Sequence, residues 1–322
     1  MSNAKFSTPI VFIIFNRPDN AERVFAEISK VKPLKLLVIG DGPRDGHPGD
    51  DEKVLAARAI IKRVDWDCEV LTNFSEVNLG CKWRVSSGLN WVFEQVEEAI
   101  ILEDDCLPDP TFFVFCHELL KRYRYDQRIG MIGGSNFQYG YRRNDDSYYF
   151  SSFHSIWGWA TWRDRWQENY DINLMHWPRV RDEGWVKDLI RDEVHRKYFI
   201  RDFEPIYQGT FDTWDAQWSF AMLLHGRLTI LPNINLIANI GFGSNATHTK
   251  DISEMANIRT AAMQFPLRHP IGMIESHSLD VRASTRLSLK PPLLQRIKDR
   301  LSRPRFGRWV VGRLARIIYC MK

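Results

Sequence analysis

The chain has 322 residues, of which 44% are hydrophobic and 26% charged, and its formal net charge is +4. This length and composition describe a globular protein with a substantial core, and they exclude intrinsic disorder and a membrane-spanning fold. The apolar run at residues 10–15 is too short for a transmembrane helix and lacks the features of a signal peptide. We therefore expect a cytoplasmic protein.

Charge and cysteine are unevenly placed along the chain. Residues 286–322 hold eleven Lys or Arg against one acid, so this segment carries +10 and the rest of the chain −6. The five cysteines form no CxxC pair and are odd in number, which is typical of reduced thiols and not of a zinc site or a disulfide framework. The sequence thus predicts a mildly acidic body with a basic tail.

The first 110 residues alternate strand and helix patterns. "PIVFIIFNRP" predicts a strand that ends at Asn-Arg-Pro, and helical spacing follows at residues 19–31. "LKLLVIGDGPRDG", "CEVLTNF" and "EEAIILEDDCLPDP" predict three more strands, separated by helices at 51–64 and 82–96. Strands that are apolar throughout and alternate with helices predict an α/β fold whose parallel sheet is covered on both faces.

Polar side chains follow the ends of these strands. Asn16 and Arg17 follow the first strand, Asp41 the second and Asn78 the third, and the fourth ends in the acid triplet, residues 103–105. Because ligands bind at the carboxyl ends of strands in such sheets, these residues are the candidates for a site.

The acid triplet, Glu103, Asp104 and Asp105, places three like charges at the end of a predicted buried strand. Carboxylate oxygens bind Mg²⁺ or Mn²⁺, and a divalent cation would offset their repulsion. An exposed acidic turn, or caps for the helix that starts near Pro110, would explain the triplet alone equally well.

The order of the motifs separates these alternatives. "FNRP", "GDGPRDG", "EVNLGCKWRVSSGLNWVF" and "AIILEDDCLPDPTFF" together resemble the nucleotide-binding half of the GT-A glycosyltransferases, which use nucleotide-diphosphate sugars. Within that superfamily the chain most resembles the N-acetylglucosaminyltransferase I type, in which Glu-Asp-Asp replaces Asp-x-Asp. The resemblance covers residues 8–115 and extends more loosely through "WGWATW", "TWDAQW" and "GFGSNATHT".

This resemblance implies a Rossmann-like, mixed and mostly parallel sheet flanked by helices. By the same resemblance Asp105 would bind Mn²⁺ or Mg²⁺, Asp104 would bind the ribose or an outer-shell water, and Glu103 would face the donor sugar or fix the loop. Because no linker is evident before about residue 280, we predict one domain at residues 1–275, with a nucleotide-binding half at 1–115 and an acceptor half at 116–275, and a basic amphipathic helical tail at 276–322.

The same resemblance gives nucleotide contacts to residues after the earlier strands. Asp41 would accept the N3 proton of a uracil, although a turn-forming Asp before Gly is a common alternative. Arg17 would bind nucleotide or phosphate unless it is a solvated loop residue. Asn16 joins this group by its place after the first strand. Asn78 and Gly80 match the motif before the third helix, where Gly80 would let backbone approach the ligand.

The acceptor half supplies the predicted base. An inverting transfer needs a group that takes the proton of the acceptor hydroxyl, and "FDTWDAQWSF" offers two carboxylates, Asp212 and Asp215. The Trp-Asp-x-x-Trp setting of Asp215 matches the base of the resembling family. We predict Asp215 as the base, with Asp212 as a donor or acceptor contact, and expect one of the two to cap the helix that follows them.

Three further residues are weaker site candidates. Trp159, in a cluster of four tryptophans between residues 157 and 166, could stack on a sugar ring, although core packing is the ordinary role of tryptophan. Gly134 lies in "GGSN", a loop that could line the donor pocket. His248 could contact metal or phosphate, since imidazole suits Mn²⁺ better than Mg²⁺, or it could be an ordinary loop residue.

The tail mixes Arg and Lys with apolar residues, as does a helix that lies on an anionic membrane surface. The apolar residues and the acidic body argue against nucleic acid as the partner, and packing on another subunit stays open. We expect a peripheral enzyme on the inner face of the membrane.

Taken together, these features predict a metal-dependent, inverting glycosyltransferase that moves a sugar from a UDP-sugar to a glycan or lipid-linked acceptor in surface-polysaccharide assembly. One alternative is a sugar-nucleotide nucleotidyltransferase, but "FNRPDN" lacks the Gly-rich phosphate loop expected there. The other is a catalytically silent, membrane-associated scaffold of the same fold.

Overall fold

A computed structural model describes residues 5–242 and 258–288 of the chain. The strands are β1 Ile10–Ile14, β2 Lys35–Gly40, β3 Glu69–Phe74, β4 Glu98–Glu103, β5 Cys106–Pro108, β6 Ile129–Gly133, β7 Tyr148–Ser151, β8 Trp159–Trp162, β9 Leu228–Pro232 and β10 Ile237–Asn239. The helices are α1 Pro18–Val31, α2 Asp50–Ala59 with the 3₁₀ turn Ile60–Arg63, α3 Gly80–Gln95, α4 Thr111–Tyr123, α5 Arg163–Asn169, α6 Trp177–Asp182, α7 Val186–Leu189, α8 Glu193–Ile200, α9 Phe203–Tyr207, α10 Asp215–Leu224 and α11 His277–Ser288.

Eight of these strands form one sheet in the order β3-β2-β1-β4-β8-β6-β9-β7. The first four are parallel, with Ile10 of β1 opposite Leu36 of β2 and Ile100 of β4. Strand β8 is antiparallel to both β4 and β6, whereas β9 is parallel to β6 and antiparallel to β7. The predicted α/β class with a mixed, mostly parallel sheet is therefore confirmed.

Both faces of the parallel half are covered, which explains why β1, β2 and β4 are largely apolar, whereas β3 at the edge of the sheet is more exposed and mixes polar and apolar residues. Successive side chains of a strand point to opposite faces, so Phe12 packs on one face with α1 and α4, and Val11 packs on the other with α3. All five residues of β1 are buried. Since the four strands run the same way, their carboxyl ends meet at one edge of the sheet, called here the carboxyl edge.

Residues 116–275 are called here the acceptor half, and residues up to 115 the nucleotide half, after the roles predicted for them. The acceptor half fills its core with aromatic side chains. Trp159 on β8, Trp166 on α5 and Trp218 on α10 pack on one another and are fully buried. They lie on the same face of the sheet as α3. A separate apolar cluster joins helices α6, α8 and α9 to α11 through residues such as Phe199, Phe203 and Leu279. Large rings let these short helices bury a core that their few residues would not otherwise supply.

Helix α11 packs on the acceptor half. Its Leu279 and Ala283 are buried, and Asp280 accepts hydrogen bonds from Ser151 Oγ at 2.5 Å and from the backbone N of Ser152 at 2.9 Å. The predicted tail from residue 276 thus opens with a helix that packs on the domain. The rest of the tail lies outside the described residues, and within those described no helix is long and apolar enough to cross a membrane.

Candidate active site

The carboxyl edge gathers the polar groups that the strand ends predict. The loop after β1 brings Asn16 and Arg17, and the loop after β4 brings the acid triplet beside them. The loops after β2 and β3 meet through Asp41 and Asn78. The structure therefore places the nucleotide-side candidates along one continuous edge.

Arg17 is the cation that the described residues place against the acid triplet. Its Nη1 donates to Asp105 Oδ2 at 2.6 Å and lies 3.6 Å from Asp104 Oδ1. Asp104 is only 5% exposed, and its Oδ2 accepts the backbone N–H of Phe15 at 3.2 Å. The loops after β1 and β4 are thus tied together by charge, so Arg17 is an ordered part of the site.

When all three of its carboxyl groups are ionised, the triplet carries three negative charges, of which Arg17 offsets one. Burial raises the pKa of Glu103 well above its usual range, and the charges of Asp105, Asp104 and Asp215 add to that effect. Burial also raises the pKa of Asp104 to about 7, although Arg17 opposes it. Burial alone would lower the pKa of Arg17, but Asp104 and Asp105 raise it above its ordinary value. Such a site favours an added cation.

The donor set fits a hard divalent cation in part. The triplet offers only oxygen ligands, as Mg²⁺ and Mn²⁺ prefer. No group of three or more His, Cys, Asp or Glu side chains in residues 5–242 and 258–288 is arranged to hold a metal ion. A site with one or two carboxylates that receives its other ligands from phosphates and water matches this arrangement.

The sequence left open whether the acid triplet bonds the start of the helix after Pro110. In the structure another acid of the same stretch, Asp109, does so. Asp109 Oδ1 accepts from the backbone N of Thr111 at 2.9 Å and from its Oγ1 at 2.5 Å, at the start of α4. The triplet itself is turned to the carboxyl edge. Helix capping therefore does not account for Glu103, Asp104 and Asp105.

Strand β10 borders the triplet from the acceptor half. It pairs antiparallel with β5, and the backbone N of Ile240 donates to the carbonyl of Asp105 at 2.8 Å. A Cβ on Gly241 would overlap the Asp105 carboxylate, so only glycine fits there without displacement. His248, the predicted late metal contact, lies outside the described residues.

Asp41 joins the loop after β2 to the start of α3. Its carboxylate accepts from the backbone N–H groups of Leu79 at 2.9 Å and Gly80 at 3.1 Å, and from Asn78 Nδ2 at 3.1 Å. Burial raises its pKa, while the backbone N–H of Leu79 and other donors oppose that change. Contact of Asp41 with a base stays a prediction, because here its oxygens serve the protein's own loop.

Asp212 completes the same helix start from the acceptor half. Its Oδ2 accepts from the backbone N of Cys81 at 3.1 Å, and its Oδ1 from that of Lys82 at 3.0 Å. Two carboxylates thus satisfy four successive N–H groups, from residue 79 to residue 82. The expectation that one of Asp212 and Asp215 caps the helix that follows them is wrong, because α10 has no side-chain cap and Asp212 bonds the start of α3 instead.

Asn16 lies beside an ion pair that the sequence did not reveal. Its Nδ2 donates to Asp50 Oδ1 at 2.8 Å, and Arg44 makes two bonds to the same carboxylate, at 2.6 and 3.0 Å. The hydrogen bond from Arg44 lowers the pKa of Asp50 to about 2. These contacts tie the loop after β1 to α2, and the only local signal was the run of acids at residues 50–52.

Asp215 is the first residue of α10 and accepts a hydrogen bond from Thr213 Oγ1. Its charge is one of the causes that raise the pKa of Glu103, so Asp215 lies within range of the charges of the triplet. Asp212, three residues earlier, holds this segment at the start of α3. The sequence separates Asp215 from Glu103 by more than a hundred residues, and the role of Asp215 as base stays a prediction.

Trp159 and Gly134 have packing roles. Trp159 is 0% exposed and stacks on Trp214 with ring centroids 5.8 Å apart, which corrects its interpretation as a sugar platform. Gly134 is buried, its N donates to the carbonyl of Gly158 at 2.8 Å, and a Cβ there would overlap Ile237. Trp157, the first tryptophan of the same cluster, is half-buried and packs against Phe242, with ring centroids 5.8 Å apart.

No family model matches the chain, and no curated protein sequence matches it. Solved structures that align with this chain include a 4-diphosphocytidyl-2C-methyl-D-erythritol synthase from Anaerococcus prevotii, 11% identical with a TM-score of 0.36 over 71% of this chain and 89% of that one.

Two further similar structures bind sugar nucleotides. A mannosyltransferase from Pyrobaculum calidifontis in complex with GDP-Man and Mn²⁺ is 12% identical, with a TM-score of 0.36 over 67% of this chain and 69% of that one. A UDP-glucose pyrophosphorylase complexed with UDP-glucose is 6% identical, with a TM-score of 0.34 over 72% and 93%. At these values the activity has to be argued from the site itself.

Proposed function

We propose that this protein is a metal-dependent, inverting glycosyltransferase that moves a hexosyl or N-acetylhexosaminyl group from a UDP-sugar to a glycan or lipid-linked acceptor in surface-polysaccharide assembly. One observation carries the proposal: the segment that holds Asp215 is bonded through Asp212 to the start of α3, and the charge of Asp215 acts on Glu103 of the acid triplet. A group-transfer site needs a place for the leaving diphosphate and a base for the acceptor, and we assign these roles to the triplet and to Asp215.

On the donor side, Asp105 would hold Mn²⁺ or Mg²⁺, whose positive charge would stabilise the leaving diphosphate. Arg17 already lies against Asp105 and Asp104, so its guanidinium is placed to bind a phosphate that enters the same space. The backbone bond from Phe15 keeps Asp104 fixed, in the place where a ribose contact is proposed. Glu103 would face the donor sugar.

On the acceptor side, Asp215 would take the proton from the attacking hydroxyl. The hydroxyl oxygen forms a bond to the anomeric carbon while the bond from that carbon to the diphosphate breaks, and UDP leaves with the electron pair. The hydrogen bond from Thr213 Oγ1 fixes one carboxylate oxygen, which leaves the other for the incoming proton. Attack opposite the leaving group gives inversion at that carbon.

The nucleotide would lie along the loops after β1, β2 and β3. We propose base and ribose contacts from Asn16, Asp41, Asn78 and Gly80, whose loops are already ordered by the bonds described above. Order before binding lowers the entropy cost of holding a ligand. His248 is proposed as an additional contact to metal or phosphate.

The test is a panel of UDP- and GDP-sugars incubated with the full-length protein, with Mn²⁺, with Mg²⁺ or with EDTA. Metal-dependent release of UDP with a glycosylated product or free sugar, detected by mass spectrometry, would support the proposal. Pyrophosphate release from a nucleoside triphosphate and a sugar phosphate would instead identify a nucleotidyltransferase. Absence of turnover and of nucleotide binding would favour the scaffold.

A further inference from the structure

The segment that carries the proposed base is held in place at each of its four residues. Asp212 bonds the start of α3, and Thr213 donates to Asp215 through Oγ1 while its carbonyl accepts from Gln217 Nε2 at 2.6 Å. The carbonyl of Trp214 accepts from Tyr170 Oη at 3.1 Å. The position of Asp215 is therefore determined by contacts on both sides of it.

Only the Asp212 contact among these reaches the nucleotide half. Its two hydrogen bonds join residues that are 131 and 130 positions apart, and both run from backbone N–H groups to a carboxylate. Such charge-assisted bonds are stronger than neutral ones, and the positive end of the α3 dipole adds to them. The other three contacts stay within the acceptor half.

Gly80 supports the same contact. Its φ of +77° is a conformation that favours glycine, and a Cβ there would lie 3.0 Å from Asp212 Oδ2. The helix start is thus shaped to let the Asp212 carboxylate come close.

We propose that Asp212 is a positioning residue: by bonding the start of α3, it fixes Asp215 relative to the acid triplet. The inference rests on the proposed role of Asp215 as base. The triplet and α3 belong to the nucleotide half and Asp215 to the acceptor half. Strands β4 and β8 already join the two halves, and the Asp212 bonds add a contact three residues from Asp215 itself. Displacement of a reacting group by about 1 Å can lower a rate by about 100-fold.

The test compares Asp212→Ala and Asp212→Asn with Asp192→Ala. Asp192 is the matched control, because its carboxylate also caps a helix, accepting from the backbone N of His195 at 2.8 Å, but caps α8 in the acceptor half. Asp212→Ala removes both bonds and should lower kcat by about 100-fold with little change in the KM for the UDP-sugar. Asp212→Asn keeps one acceptor oxygen and should lose less, and Asp192→Ala should keep the wild-type kcat.

Protection of backbone amides against hydrogen exchange is a second measurement, and it does not depend on activity. In Asp212→Ala, amides at 81–82 and 212–216 should lose protection, whereas in Asp192→Ala the loss should be confined to α8. Unchanged protection at 212–216, or a kcat near that of wild type, would overturn the inference. If the wild-type protein transfers no sugar but Asp212→Ala still loses protection at 212–216, the proposed function is rejected and the contact of Asp212 with α3 is retained.

Discussion

The two halves of the sheet deliver their site residues by different routes. In the nucleotide half, four parallel strands end at one edge, and each strand end carries a polar residue into the site. In the acceptor half the strands are mixed, and Asp215 arrives at the start of a helix that follows a loop. One half therefore takes its geometry from the sheet, and the other from side-chain bonds such as those of Asp212.

The largest expected effect is on the acceptor half. Asp215→Asn keeps the shape of the side chain but removes the proton acceptor, so kcat for transfer should fall by about 10³-fold. UDP binding, measured by calorimetry on the same protein, should be unchanged, because the nucleotide half is untouched. A variant with more than about a tenth of wild-type kcat would contradict the assignment of the base.

The corresponding change in the nucleotide half is Asp105→Ala, which should lower transfer by about 10²- to 10³-fold and weaken the Mn²⁺ dependence of UDP binding. Asp109→Ala is the matched control, since Asp109 belongs to the same acidic stretch but bonds the start of α4. That variant should lose some stability and keep its response to Mn²⁺. Equal responses in both variants would remove Asp105 from the metal site.

The two halves should also differ in how acid destabilises them. Burial lowers the pKa of His195 to about 4 and that of His154 to about 3, both in the acceptor half. An unfolded histidine titrates near 6.5, so the unfolded state binds protons first as pH falls below that value. The stability from these neutral histidines is complete above about pH 6.5 and is lost as pH falls to about 4 for His195 and to about 3 for His154. Asp50, with its lowered pKa, reduces stability only below about pH 4.

His195→Phe should therefore flatten the fall in stability between pH 6.5 and 4, by about 3 kcal/mol in the free energy of unfolding. Urea unfolding at several pH values measures it. His47→Gln is the control, because His47 is exposed and should leave the slope unchanged. If plots of unfolding free energy against pH run parallel for wild type and His195→Phe, this histidine is not the source of the acid sensitivity.

The smallest effect on chemistry is expected from the basic tail. Removal of residues 289–322 leaves α11 intact and should keep kcat for a soluble acceptor near the wild-type value. Co-sedimentation with vesicles that contain anionic lipid should fall, since each basic residue near such a surface contributes about 1 kcal/mol. Vesicles of neutral lipid serve as the control, and equal binding of both chains to anionic vesicles would remove the membrane proposal.

The difference between the halves also decides what the sequence could predict. Residues 16, 17, 41, 78 and 103–105 lie at or just after the ends of the four parallel strands, so their meeting at one edge follows from parallel strand order alone. The bonds of Asp212 to α3 could not be found, because helix caps are expected within a few residues of the helix that they bond. The ion pair of Arg44 and Asp50 and the burial of Trp159 also depend on tertiary contacts that no local pattern encodes.

Strand β4 limits how this protein can be recombined. It pairs in parallel with β1 and antiparallel with β8, so it is shared by the two halves. A chimera that joins the first 115 residues to a foreign acceptor half would leave β4 with an unpaired edge unless the new partner supplied a strand in the same register. If the protein has the proposed function, exchange of its donor or acceptor specificity is therefore better attempted by grafting loops than by exchanging halves.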